Sequence, residues 1–178
     1  MTVELRPWSL ADGPYLQSAV ATSPDLVTQL GGADLRDVEH CTRFIEAHLG
    51  ALGPVGYNFA ISQDGVAVGN VGLSSIDRRH QTAWTYYWVA ASHRGQGLAT
   101  RALATVSGWA FGELDLFRLE LGHRVNNPAS CRVASRAGFV AESVERSKLR
   151  YGTDRFDVET HARLATDPYP PLTPLTMG

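Results

Sequence analysis

Lysine is almost missing from this chain: Lys148 is the only one among 16 basic residues, the rest being arginine. Chemistry through a Schiff base or pyridoxal phosphate would hang entirely on that side chain, which argues against it. A Walker-type phosphate loop is excluded too, because no glycine-rich loop leads into Arg146-Ser147-Lys148. Cysteine is scarce. Cys41 and Cys131 form no CxxC pair and no disulfide framework, so a reduced, cytoplasmic protein is expected. The 6 histidines show no HExxH or other ligand spacing, and no metal is expected. No apolar run approaches the roughly 18 residues of a membrane span. Met1–Arg6 carries an early acid and no apolar h-region, so neither a membrane partner nor a secretory signal is expected. Excess charge is also lacking: 16 Lys+Arg oppose 18 Asp+Glu, which gives no general electrostatic case for nucleic acid or anionic lipid.

What is present is an ordinary globular composition, 44% apolar and 19% charged over 178 residues. That length favours one domain able to bury about two thirds of its unfolded surface. Val3, Leu5 and Pro7-Trp8 read as a first strand, and Asp12–Ala21 as a helix with Pro14 in its first turn. Asp34 is the expected N-cap of a second helix along Val38, Cys41, Ile45, Leu49 and Leu52, broken by Gly50, Gly53 and Pro54. Tyr57–Ser62 and Val66–Ser75 follow as strands around the hairpin signal Asp64-Gly65, and Thr82–Ala90 as a third. The period then changes to helical at Leu98, Ala102, Leu103, Val106 and Ala110. A strand (Phe117–Val125), a short helix (Asn127–Gly138) and a strand (Phe139–Val144) come next, and Phe156–Leu164 alternates as a last strand. The Pro-rich tail from Asp167 is expected to be an extended arm. The order predicts one α/β domain with a mixed sheet over 1–166, followed by the tail 167–178.

Two local constellations carry chemistry. Arg94-Gly95-Gln96-Gly97-Leu98-Ala99 lies between a strand and a helix. Its glycines permit a tight turn and close backbone approach, and a helix N-terminus offers unpaired N–H groups to a phosphate. It does not complete a dinucleotide fingerprint. Thr100 stands where the third glycine belongs, and Asp115 precedes the next strand instead of ending it. Further on, Asn127 fits an N-cap with Pro128 at the first helical position, and Gly138 fits the far end. Ser130 on that first turn has no such structural explanation.

Taken together, Arg94-x-x-Gly97-x-Ala99 and Asn127-x-x-Ser130-x-x-Val133-Ala134, closed by Ala137-Gly138-Phe139, resemble the GNAT superfamily of acyl-CoA N-acyltransferases. The nearest branch is the ribosomal-protein alanine N-acetyltransferases of RimJ/RimL type. The resemblance runs from Leu5-Arg6-Pro7-Trp8 to Ala162-Arg163-Leu164. It implies a largely antiparallel mixed sheet with splayed central strands and flanking helices, and acetyl-CoA or another acyl-CoA as cosubstrate. It further implies that the amides of Arg94, Gly95, Gln96, Gly97, Leu98, Ala99 and Thr100 hold the pyrophosphate. Trp88, Val89 and Ala90 would pair with pantetheine, the Val89 amide would polarise the thioester carbonyl, Asn127 would bind pantetheine and Ser130 would protonate the leaving thiolate.

Trp84 and Leu149 stand where members of that branch often carry glutamate. The remaining candidate bases are His80, His123, Glu120, Asp77 and Glu142, with His123 preferred because it leads to Asn127 and can titrate near neutrality. The alternative needs no base: a free α-amine, with pKa about 7.7–8.0, is partly neutral at pH 7 whereas a lysine amine near 10.4 is not. Of Trp84, Tyr86, Tyr87 and Trp88, half should face a core and half the opposite face. Arg78-Arg79-His80 reads as a solvated turn, or as an anion contact. The expected function is N-acyl transfer to a primary amine in a ternary complex. The acceptor is a protein N-terminus or a small amine or antibiotic, and the chain is a monomer or homodimer. The competing readings are a catalytically silent acyl-CoA-binding or sensing module and a phosphate-binding structural module.

Overall fold

The computed structural model describes residues 2–50, 53–54 and 56–178. In chain order the elements are β1 (Val3–Pro7), α1 (Gly13–Thr22), α2 (Pro24–Gln29), α3 (Val38–Phe44), β2 (Gly56–Gln63), β3 (Val66–Asp77), β4 (Thr82–Val89), α4 (Leu98–Glu113), β5 (Arg118–Arg124), α5 (Pro128–Arg136), β6 (Val140–Tyr151), β7 (Asp154–Leu164) and β8 (Thr176–Met177). The strands join one sheet in the order β6-β7-β5-β4-β3-β2-β1-β8. Every neighbouring pair is antiparallel except β4–β5 and β1–β8. This is the mixed, largely antiparallel α/β sheet the sequence predicts.

Alternation along the strands sends side chains to two separate cores. Trp88, Ala90 and Ala60 pack with Leu16, Leu26, Cys41 and Ile45 under α1–α3. Leu119, Leu121 and Ala83 meet Leu103, Ala134 and Ala137 of α4 and α5 on the opposite face. The parallel pair β4–β5 is the exception that matters. It is in register only over Thr82–Trp84 and Arg118–Glu120, and beyond that point the two strands separate, leaving a wedge that opens at their C-terminal ends.

Several expectations needed correction. The second helix is capped by Asp37, whose carboxylate accepts from the His40 N–H at 2.9 Å, while Asp34 is drawn to the Arg36 guanidinium. That helix passes into a π-helical turn at Ile45–Leu49, and Leu52 lies outside the described residues. The helix α2 was not expected, because Pro24 reads as a break although here it supplies the first helical turn. Strand β6 continues well past Val144 to Tyr151, turning at Gly152 to pair with β7.

The Pro-rich tail does not stand off as an arm. Thr173 O accepts from Arg101 Nε at 3.2 Å, Leu175 N–H donates to Thr105 Oγ1 at 2.9 Å, and Gly178 N–H donates to Leu5 O at 2.9 Å. Leu175 is buried among Leu5, Val68, Val71 and Val106. The tail therefore contributes to the fold. Leu175→Ala is expected to cost about 2–3 kcal/mol, a fall in Tm of about 5–10 °C for a chain of this size. A thermal melt of the variant checks it, and an unchanged Tm would show that the tail adds nothing to stability.

Candidate active site

Two clefts meet in the wedge between β4 and β5. The first, of about 460 Å³, is lined by Tyr87–Val89, the Arg94–Thr100 turn, and Asn127, Ser130 and Val133 of α5. The second, of about 1120 Å³, lies on the α1–α3 side, between Phe44, His48, Trp84, Tyr86 and Trp88 and, across the gap, Arg124, Lys148, Leu149, Tyr151 and Phe156. Tyr87, Trp88, Arg124, Asn127 and Ser130 border both.

The floor of the first cleft is built by the glycine turn. Gly95 and Gly97 have φ of +79° and +75°, left-handed values that a side chain resists. Gly97 is also the N-cap of α4 and has no side chain to satisfy the first N–H groups, so those amides are left for a ligand. Arg94 does something other than lend free charge. Its Nε donates to Val89 O at 2.9 Å and its guanidinium grips both oxygens of Asp25 at 2.8 and 3.0 Å. It ties β4, the turn and α2 together, and the positive potential left at the turn is chiefly that of the backbone.

The opposing lip comes from α5. Asn127 caps it, its Oδ1 accepting from the Ser130 N–H at 3.2 Å while its Nδ2 donates to Ser130 Oγ at 3.3 Å. Tyr87 reaches across from β4, its hydroxyl donating to Ser130 O at 3.2 Å. Burial pushes the Tyr87 phenol up to about 12, against a smaller opposing effect of that hydrogen bond, so it stays protonated at any physiological pH. On β4, the Ala90 N–H is turned on Val68 O at 2.9 Å. Neighbouring residues of a strand alternate in direction, so the Val89 N–H points to the other edge, into the wedge.

The aromatic run alternates, but three to one instead of half and half: Trp84, Tyr86 and Trp88 lie on the α1–α3 side and Tyr87 on the other. A polar chain backs that second cleft. Trp8 Nε1 donates to Asn70 Oδ1 at 2.8 Å, Asn70 Nδ2 to Asn58 Oδ1 at 3.1 Å, and the Tyr86 hydroxyl to the same Oδ1 at 2.9 Å. These side chains could not be singled out from sequence, because their partners lie on three strands and on the segment after β1.

Of the candidate bases, only His123 borders either cleft. Asp77 accepts from the Arg79 and His80 amides at the far turn. Glu120 and Glu142 both hold Arg118, at 2.6 and 2.5 Å, and that contact keeps the Glu142 carboxyl below its usual range. His123 borders the second cleft but is only 7% exposed, and both its ring nitrogens are engaged. Nδ1 meets Arg124 O at 3.0 Å and Nε2 meets His161 Nε2 at 3.0 Å. Its Nδ1 therefore carries the proton, and its Nε2 lone pair faces His161 instead of a substrate. Asp25, the carboxylate bordering both clefts, is occupied by Arg94. Trp84 and Leu149, which stand where the branch resembled often carries glutamate, line the second cleft.

The GNAT acetyltransferase domain family matches residues 2–140. Among curated proteins the chain is similar to Probable N-acetyltransferase YjcK of Bacillus subtilis, 37% identical over 97 residues, 53% of this chain and 54% of that protein. It is also similar to ribosomal-protein-serine acetyltransferase of Escherichia coli, 30% identical over 106 residues, 60% of this chain and 59% of that one. The chain thus spans a little over half the length of the curated relatives it matches. Among solved structures, RimJ of Mycobacterium smegmatis in complex with CoA-disulfide superposes with a TM-score of 0.76 at 26% identity, covering 92% of this chain and 82% of that one. The microcin C7 self-immunity acetyltransferase MccE, in complex with acetyl-CoA and AMP, shares the fold with a TM-score of 0.79 at 20% identity, over 92% of each chain. With a family match across most of its length and a sheet wedged open beside a glycine turn, this chain belongs to the GNAT acetyltransferase family.

Proposed function

We propose that this protein is an acetyl-CoA-dependent N-acetyltransferase whose acceptor is an unprotonated α-amine, at a peptide N-terminus or on a small molecule. The observation that carries this reading is the wedge. Two clefts of different character meet at one point, bounded by the outward-facing Val89 N–H and by Ser130.

The first cleft suits acyl-CoA. The α4 amides and the glycine turn meet the pyrophosphate, and the unpaired edge of Tyr87–Val89 offers strand-like hydrogen bonds to pantetheine. The Val89 N–H then sits where charge grows on the thioester oxygen. The amine enters from the second cleft and its nitrogen bonds to the thioester carbon. The C–S bond breaks, the thiolate takes a proton from water beside Ser130 or from Ser130 Oγ, which regains one from solvent, and the ammonium proton leaves to solvent. A thiol of pKa about 8.5 is a fair leaving group, so the help asked of Ser130 is modest.

The second cleft favours the α-amine over a polycation. Lys148 stands over the Trp84 ring at 5.6 Å and pairs with Glu145. Arg124 lies over Tyr151 and Phe156 at 5.4 and 5.0 Å, and no carboxylate lies on it among the described residues. The Arg124 guanidinium can receive a peptide carbonyl or a carboxylate beside the amine, and it repels a second ammonium.

The test is release of free CoA thiol from acetyl-CoA with a panel of peptides, amino acids, polyamines and aminoglycosides. Ser130→Ala and Asn127→Ala are each expected to lower kcat/KM by about tenfold or more, the cost of a lost charge-assisted contact of 1.5–3 kcal/mol. Unchanged rates in both would remove α5 from the site. Thermal stabilisation by acetyl-CoA without turnover of any amine would favour a silent binding module instead.

A further inference from the structure

We infer that His123, His161, Cys131 and Glu159 form a binding site for a zinc-class divalent cation, which would pin α5 to the sheet. The four come from β5, β7 and α5, and their ligating atoms all lie within 4.8 Å of one another. In sequence they are scattered, which is why local spacing gave no hint of a metal.

Four of the six donor separations lie near those of a tetrahedral set, and the two between Cys131 and the imidazoles fall within 4.8 Å. His123 Nε2 is 3.0 Å from His161 Nε2, and Glu159 Oε1 is 2.7 Å from His161 Nε2, 3.5 Å from His123 Nε2 and 3.5 Å from Cys131 Sγ. A zinc ion with bonds of about 2.0–2.1 Å to nitrogen and oxygen and about 2.3 Å to sulfur spaces its donors by about 3.2–3.7 Å. Shifts of up to about 0.5 Å would bring the short pairs onto that geometry, and Cys131 would have to close on the imidazoles by up to about 1 Å. Two imidazoles, a thiolate and a carboxylate are a borderline-soft donor set that suits Zn²⁺ over Mg²⁺ or Ca²⁺.

Proton placement without a cation is crowded. The Nδ1–H of His123 is committed to Arg124 O, so its Nε2 presents a lone pair. Only the His161 Nε2–H can then lie between that lone pair and Glu159 Oε1, one proton serving two acceptors. His161 is 2% exposed, and its Nδ1 has no partner to compensate. A cation replaces this shared proton with bonds to all four groups. Binding moves the His161 proton to Nδ1 and breaks the Cys131 S–H bond, that proton passing to solvent. Arg124 O already orients the His123 ring from behind, as the outer partners of metal-bound histidines do. The site is not sealed, since Glu159 and Cys131 are part-exposed, and this gives the ion a way in.

Cys131 directly follows Ser130, and His123 directly precedes Arg124. A metal here would therefore fix the α5 lip of the wedge without touching the reacting atoms.

The test uses the full chain, stripped with a chelator, loaded with Zn²⁺, freed of excess by gel filtration and assayed by atomic spectrometry. About one Zn²⁺ per chain is expected, with a raised Tm on loading. Cys131→Ser and Glu159→Gln should each lower retained metal about tenfold or more, consistent with loss of one ligand. Co²⁺ loading should give tetrahedral visible bands and a thiolate charge-transfer band that Cys131→Ser abolishes. Circular dichroism of both variants guards against simple unfolding. Wild-type protein that retains no Zn²⁺ and shows no Co²⁺ thiolate band overturns the proposal, as does equal retention by the Cys131→Ser/Glu159→Gln double variant. The cluster is then a hydrogen-bond network only.

Discussion

Replacing Val89 by proline is expected to lower kcat about 10²–10³-fold, the size of effect seen when one oxyanion donor is removed. Proline deletes a single N–H, so the substitution isolates that group. The ladder with β3 does not use it: the neighbouring Ala90 N–H makes the bond to Val68 O, and alternation leaves the Val89 N–H on the open edge of the sheet. Val89 Cβ faces Leu98 and Val106, so Val89→Ala serves as a control for lost packing while keeping the N–H. The pyrophosphate contacts proposed above lie further along, at Arg94–Thr100, so acetyl-CoA should still raise the Tm of Val89→Pro. Steady-state thiol release and a ligand-dependent melt make the comparison. A proline variant as fast as Val89→Ala would remove the amide from the reaction.

The residues of the glycine turn and of the α5 cap were legible in sequence because each performs a local backbone task. Gly97 is where a left-handed residue starts a helix, and Asn127 followed by Pro128 is a cap whatever the tertiary fold. The wedge was not legible by pattern. Thr82–Val89 and Arg118–Arg124 both read as ordinary strands, and where two parallel strands stop pairing leaves no mark on either; it entered only through the resemblance. His123 fails for a related reason. Its place on a strand leading to Asn127 is correct, but its chemistry is set by His161, a partner 38 residues away. Arg94 was legible as a position and not as a role, because Asp25 sits in a helix that Pro24 concealed. The tail misleads because proline signals extension, which is compatible with crossing α4 and laying a short strand beside β1.

The largest effect expected from the choice of acceptor follows from the second cleft's one carboxylate among the described residues, Asp25, being held by Arg94. Below its own pKa an α-amine should show kcat/KM rising tenfold per pH unit, levelling above about pH 8. The profile then belongs to the substrate. At pH 7 a peptide α-amine has about 300-fold more neutral amine than a lysine side chain, from pKa values near 7.8 and 10.4. A peptide blocked at its N-terminus but carrying lysine should be turned over slower by about that factor. Polyamines, repelled also by Arg124, should fare no better. Tyr87 cannot supply the ionisation, since burial holds it up at about 12. Candidate enzyme groups are the imidazoles bordering the cleft, His48 and His123. The inflection should track the acceptor, shifting downward with a less basic amine and surviving His48→Ala and His123→Ala. An inflection fixed across acceptors and abolished by either substitution would assign proton removal to that histidine and overturn the reading of an unassisted amine.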